Sequence, residues 1–313
     1  MEFQNMSYLL LAIGLLVLLL GGKFLVDGAS SVASRLGLSP GLIGLTIVAF
    51  GTSAPELLVS ITAALRGASD IAIGNVVGSN ISNITLVLGI SAVIYPIYIE
   101  KSTLKLDYPF TLFSSLLFFV FALNGLISFT EGVVLLICFV SLNWYFFKSI
   151  ERVEFSEEDA EQMKKQPVWL AIIQLLGGAA GLYFGSDLVV GNATSIAQAL
   201  GVSERIIGVT IIAIGTSLPE LVTSVLAALK KETAMALGNI LGSNIMNVFS
   251  IIGFTAVLKP IAVTPNFISS DFIWMLGFTI LLLPIMRINY IISRLNGVFL
   301  ILGYLVYVYL LVA

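Results

Sequence analysis

Apolar residues run through this chain in ten long stretches parted by short polar breaks: 6–34, 39–66, 70–98, 104–124, 127–149, 168–199, 204–229, 233–262, 268–287 and 292–312. They reach the ~20 residues that an α-helix needs to cross a bilayer. They are continuous and lack the period-two alternation of membrane strands, so a β-barrel does not fit. The pattern predicts an all-α integral membrane protein with ten transmembrane helices. One long segment, 151–166, is polar, with six acids and three bases, and reads as an aqueous linker too short to contain a folded domain.

The pattern is also duplicated. Gly51-Thr52-Ser53-Ala54-Pro55-Glu56 returns as Gly215-Thr216-Ser217-Leu218-Pro219-Glu220, and Gly74-Asn75-Val76-Val77-Gly78-Ser79-Asn80-Ile81-Ser82-Asn83 returns as Gly238-Asn239-Ile240-Leu241-Gly242-Ser243-Asn244-Ile245-Met246-Asn247. Every pair is offset by 164 residues, and 22 of the 40 positions from Gly44 to Asn83 are identical to their partners. The chain is therefore two copies of one unit, 1–150 and 167–313, joined by the linker 151–166. Each unit has five spans, an odd number, so the second enters the membrane from the opposite side. Inverted repeats are a transporter architecture, with the site near the midplane where the repeats meet. A channel or scaffold could also contain a duplication, but inversion supplies the two near-equivalent conformations that alternating access needs.

Charge gives the orientation. With the N-terminus outside, the inner ends carry eleven basic residues, among them Arg35, Lys101, Lys105, Lys230, Lys231 and Arg294, while the outer ends carry Arg66, Arg205 and Lys259. The positive-inside rule places both termini outside and the linker in the cytoplasm. Composition agrees with a membrane location: 58% of the 313 residues are hydrophobic and 11% charged, with a mean hydropathy of +1.05, against about 25% charged in soluble domains. The single cysteine, Cys138, cannot form an internal disulfide, and the absence of histidine removes histidine-based catalysis and most zinc chemistry. The net charge of −3 points to no partner class; the reading carries no nucleic acid, no obligate protein partner and no resident cofactor, only the bilayer and a transported ion.

The chemistry lies in the duplicated motifs. Pro55 has no N–H, so the carbonyl of Gly51 loses its helical partner, and Gly51 weakens the same turn. Pro219 does the same to Gly215. Spans two and seven are expected to break at mid-depth, freeing carbonyls near Ala49 to Thr52 and Ala213 to Thr216, which is tolerated only where backbone is buried in protein or lines a watery cavity. A glutamate follows each proline. An ionised carboxylate at the bilayer centre costs at least ~2.5 kcal/mol, and Glu56 and Glu220 would repel each other, yet no basic residue stands at their level. The missing counter-charge is most simply a transported cation or proton. Thr52, Ser53 and Ser60 share a helical face with Glu56. Asn75, Ser79 and Asn83 form a polar stripe in span three, repeated as Asn239, Ser243 and Asn247 in span eight. Asn75, Asn80, Asn239 and Asn244 read first as interhelical glue; Ser79, Ser243, Asn83 and Asn247 read as ligands. Hard oxygen donors suit Ca²⁺, which takes about 6–8 oxygens, better than Mg²⁺ with its stricter octahedron. A site of formal charge −2 is neutralised equally by one Ca²⁺, two Na⁺ or two protons.

At these motifs the chain resembles the calcium:cation antiporter superfamily, and within it the prokaryotic sodium/calcium exchanger branch. The resemblance covers nearly the whole chain. It implies ten helices in two inverted five-helix repeats in the cell membrane of a bacterium or archaeon, with tilted spans one and six sliding across spans two, three, seven and eight. It implies that Glu56 and Glu220 bind both Ca²⁺ and Na⁺, that carbonyls of Thr52 and Thr216 complete the calcium site, and that Ala49, Ser53, Ser79, Ala213, Ser217 and Ser243 supply sodium ligands, with Asn83 near the centre. One departure is that relatives often carry aspartate where Asn247 stands. Two formal carboxylates remain rather than three, and coupling of Ca²⁺ to Na⁺ or to H⁺ stays open. A two-carboxylate intramembrane hydrolase is the competing class; nothing in the symmetric Pro-Glu context requires that chemistry.

Overall fold

The computed structural model describes residues 2–148, 167–201 and 213–312; the expected linker and the first part of the seventh expected span, including Arg205, lie outside the described residues. The first half runs α1 (Glu2–Leu36), α2 (Pro40–Thr52), α3 (Ala54–Leu65), α4 (Ser69–Ile94), α5 (Thr103–Ala122) and α6 (Phe129–Lys148). The second runs α7 (Val168–Ala199), the short α8 (Ala213–Thr216), α9 (Leu218–Leu229), α10 (Thr233–Leu258), α11 (Phe267–Arg287) and α12 (Arg294–Val312). Among the described residues eight helices are continuous, long and apolar enough to cross a membrane, and α2 with α3 makes a ninth, bent span. Helices α8 and α9 are the described end of the seventh expected span. Helix starts follow local chemistry: Pro40 opens α2 behind Ser39, whose hydroxyl accepts the Leu42 N–H at 3.2 Å.

Four two-residue strands, which the periodicity does not announce, fix the relation between the halves. They are β1 (Ile97–Tyr98), β2 (Leu126–Ile127), β3 (Ile261–Ala262) and β4 (Ile291–Ile292). β1 pairs antiparallel with β4, and β2 with β3. One span, α5, separates β1 from β2, so they lie at opposite ends of the molecule. β3 is the counterpart of β1 in the second copy, yet it lies with β2. Equivalent segments sit at opposite ends, as inverted repeats require.

Burial sorts the helices into a core and a periphery. In α4 and α10, 72% and 89% of the most apolar window is buried; in α7 the figure is 22%. Helices α1 and α7 have 35 and 32 residues, about 50 Å at 1.5 Å per residue. That exceeds a hydrocarbon core of ~30 Å, a mismatch relieved by tilting. The two cross backbone to backbone along a glycine seam at seven-residue spacing. A Cβ on Gly21 would meet the Leu182 nitrogen at 2.7 Å, and one on Gly185 the Leu18 nitrogen at 2.6 Å. Helices α4 and α10 each pass into a π-helical turn within the duplicated motif, at Asn83–Val87 and Asn247–Ile252. Such turns re-aim side chains and recur at functional sites.

Candidate functional site

Both Pro-Glu breaks form where the sequence places them. α2 and α3 meet at a bend of 46°, and the hinge residues Ser53 and Ser217 share one backbone conformation, φ −85°, ψ 6° and φ −87°, ψ 6°. This is the sparsely populated bridge region between helix and strand. The carbonyls do not all remain free. Ala49 accepts the Ser53 N–H at 3.0 Å and has the Thr52 hydroxyl at 3.2 Å. Gly215, deprived of a helical donor by Pro219, accepts the Ser186 hydroxyl of α7 at 2.7 Å.

Glu56 and Glu220 stand in the first turns of α3 and α9 and are each 1% exposed. The positive end of a helix favours a carboxylate there. The spacing Ser-x-Pro-Glu would support a local capping box, but neither serine caps its own helix. Ser53 instead reaches across the repeat boundary and donates to Glu220 Oε1 at 2.9 Å. That bond, from a residue three before Glu56, ties the two Pro-Glu turns together. Among the described residues no lysine or arginine pairs with either carboxylate; Lys23 is exposed on α1. Both oxygens of Glu56 and Oε2 of Glu220 are buried without a hydrogen-bond partner.

The asparagines bond between helices, and two of them keep a free acceptor. Asn75 donates to the Ser60 hydroxyl at 2.9 Å and to the Glu56 carbonyl at 3.2 Å; Asn239 donates to the Ser224 hydroxyl at 2.9 Å. Asn80 and Asn244 bond across the repeats to each other's backbone carbonyls, at 3.4 and 3.2 Å. Asn83 donates to Asn244 Oδ1, and Asn247 to Asn80 Oδ1, both at 3.0 Å. The Oδ1 atoms of Asn83 and Asn247 and the hydroxyl of Ser79 are left buried and unpartnered.

Of the other predicted residues, Ser243 lies beside Glu220 and Thr52 beside Ser243. The Thr52 hydroxyl lies 3.2 Å from Asn239 Oδ1 and 3.4 Å from the Ser243 hydroxyl, which is 3.5 Å from Glu220 Oε1. Ser217 bonds the Ser82 hydroxyl at 2.8 Å rather than Glu56. Ala213 and Thr216 bound α8, immediately before that serine. Sequence reasoning overlooked Ser82, whose counterpart Met246 breaks the repeat at this point. It also stopped short of the cross-repeat bonds of Asn80 and Asn244; their place three residues before Asn83 and Asn247, on the same helical face, was the available signal.

Comparison with known proteins bears on the whole chain. A family model described as sodium/calcium exchanger protein matches residues 6–148 and 170–313. The sodium/calcium exchanger MaX1 of Methanosarcina acetivorans is 33% identical over 345 aligned residues, covering 98% of this chain and 99% of that one. The inner membrane protein YrbG of Escherichia coli is 35% identical over 286 residues, covering 87% and 86%. Among solved structures, the sodium-calcium exchanger NCX_Mj soaked with 10 mM Na⁺ and zero Ca²⁺ matches with a TM-score of 0.84 and 32% identity, covering 97% of this chain and 98% of that one.

Proposed function

The chain belongs to the sodium/calcium exchanger protein family, and from that premise we propose that it is a secondary antiporter exchanging Ca²⁺ for Na⁺ at a site between Glu56 and Glu220. One observation carries the reading. Six buried oxygens of the duplicated motifs, Glu56 Oε1 and Oε2, Glu220 Oε2, Asn83 Oδ1, Asn247 Oδ1 and Ser79 Oγ, have no hydrogen-bond partner. Buried acceptors are ordinarily satisfied, and an unpaired one costs about 1–3 kcal/mol, more when charged. Six oxygens, with two formal charges, lie at the lower bound of the roughly 6–8 that Ca²⁺ takes. Two Na⁺ balance the same charge as one Ca²⁺, so the occupants compete for one pair of carboxylates. Carbonyls of Thr52 and Thr216 complete the calcium shell. Ser53, Ser217, Ser243 and the carbonyl of Ala213 serve Na⁺, with Ser79, and the Ala49 carbonyl joins them once the Thr52 hydroxyl releases it. The glycine seam supports the sliding of α1 and α7 as a pair, because it packs the two helices backbone to backbone as one unit. Lys101, Lys230, Lys231 and Arg294 flank the β1/β4 end, which the positive-inside rule assigns to the cytoplasm, with both termini outside.

The test is radioactive calcium uptake into vesicles loaded with Na⁺. Wild-type protein should take up Ca²⁺ only while the Na⁺ gradient lasts. Glu56→Gln and Glu220→Gln should each lower uptake by about 100-fold or more, since breaking a buried charge pairing costs about 3–5 kcal/mol. Uptake that survives either change sinks the two-glutamate site. Uptake driven by a pH gradient without Na⁺ would replace Na⁺ by H⁺ as the coupling ion.

A further inference from the structure

We infer that Asn80 and Asn244 are positioning residues that hold the Asn83 and Asn247 amides with oxygen, never nitrogen, towards the ion; this rests on the site proposed above. The orientation follows from an atom that cannot be reversed. A backbone carbonyl only accepts, so the Asn80 amide must turn its NH₂ towards the carbonyl of Asn244. Its Oδ1 then points the other way and meets the NH₂ of Asn247 at 3.0 Å. That contact needs a donor, so the Asn247 NH₂ is committed and its Oδ1 is the atom left over, buried and unpartnered. The same chain of constraints runs from the Asn80 carbonyl through Asn244 to Asn83 Oδ1. All four side chains are at most 1% exposed, so no bulk water competes for these bonds.

The lock decides what a central amide can do for a cation. A primary amide is a ligand from one end and a repulsive donor from the other, and a half-turn about its last torsion exchanges them. A carboxylate has no wrong end. A chain with amides at both central positions therefore needs a device that an aspartate would make superfluous. Asn83 and Asn247 follow Asn80 and Asn244 by three residues, on the same face of α4 and α10.

The experiment removes the lock and then removes the need for it. In vesicle uptake, Asn80→Ala frees Asn247 to reverse and should raise the Ca²⁺ concentration at half-maximal rate by about tenfold, with the maximal rate changed by less than twofold. Asn80→Ala combined with Asn247→Asp should recover most of that affinity, because a carboxylate presents oxygen in either orientation. Asn244→Ala with Asn83→Asp reads the same lock from the other repeat. Affinity unchanged in Asn80→Ala, or a loss that Asn247→Asp does not recover, overturns the inference, as does failure of both alanine variants to reach the membrane, which would make the residues structural only. Absence of Na⁺-driven uptake by the wild type would instead overturn the exchanger reading itself.

Discussion

Ser53 and Ser217 occupy equivalent hinge positions in the two repeats, with the same backbone angles, and their hydroxyls do different work. Ser217 is engaged by Ser82. The counterpart of Ser82 is Met246, which has no hydroxyl, and Ser53 turns to Glu220. One residue difference therefore leaves Glu220 with one oxygen satisfied and Glu56 with none. The asparagine network a turn away is, by contrast, symmetric to within 0.2 Å. A parallel divergence lies outside the core, where Ser186 on α7 engages the freed Gly215 carbonyl while its counterpart on α1 is Gly22. Symmetry is kept where the buried Oδ1 atoms of Asn83 and Asn247 are oriented and relaxed where each half sets how firmly its own groups are held.

The largest expected effect tests the symmetric part. Gly21 and Gly185 are counterparts, and each lies against backbone of the opposing helix. Gly21→Ala and Gly185→Ala should each destabilise the folded protein by about 1–3 kcal/mol, the usual range for overpacking a close contact. Thermal unfolding in detergent should show the two losses equal within error. Unequal losses would mean that the seam is not shared evenly by the repeats.

Most of this plan can be read from the chain because it depends on local signals. Apolar runs mark the spans, the constant offset marks the duplication, and a proline before each glutamate marks the breaks at Ser53 and Ser217. What could not be read depends on which atoms meet across the repeat boundary. The motif Ser53 to Glu56 is compatible with a capping box, and only the approach of the second repeat diverts its hydroxyl to Glu220. Likewise the carbonyl of Ala49 looks freed by the break, but the Ser53 N–H and the Thr52 hydroxyl reach it once the turn tightens. The strands β1 to β4 are two residues long, too short to show any alternation.

A smaller effect separates the two serines. Ser82→Ala removes the partner of Ser217 and leaves that hydroxyl free to donate to Glu56, as Ser53 does to Glu220. A satisfied carboxylate gains less from a cation, so half-saturation for Ca²⁺ uptake should rise by about two- to tenfold, the worth of one hydrogen bond. Met246→Ser supplies Ser53 with the missing partner and should shift the affinity in the opposite direction. Identical affinities in both variants and the wild type would show that the serine asymmetry does not reach the ion.

The smallest effect concerns the two ends of the molecule. At the β1/β4 end, α1 is tied to the turn between α9 and α10: Asp27 pairs with Lys230, and Ser30 donates to Glu232 Oε2 at 2.7 Å. Burial holds the Glu232 carboxyl above its usual range, while Ser30 and Lys230 pull it back and Asp27 adds to the rise. At the other end the counterparts by sequence are Gly191 and Thr194 on α7 and, in the turn between α3 and α4, Arg66 and Ala68. Glycine offers no carboxylate, and the Thr194 hydroxyl is buried without a partner. The tie should therefore favour closure at the β1/β4 end alone. Its charged pair is 32% exposed on each side, so it contributes only about 0.2–1 kcal/mol, at most a fivefold shift in population. Lys230→Gln should improve apparent Ca²⁺ affinity from the β1/β4 side and weaken it from the other, and high salt should bring the wild type towards the variant. Gly191→Asp sharpens the comparison, since a Cβ there meets nothing within 4 Å and the new carboxylate would be available to Arg66 when that end closes. It should move both affinities the opposite way; movement in the same direction as Lys230→Gln would show that the tie does not set the bias between the two faces.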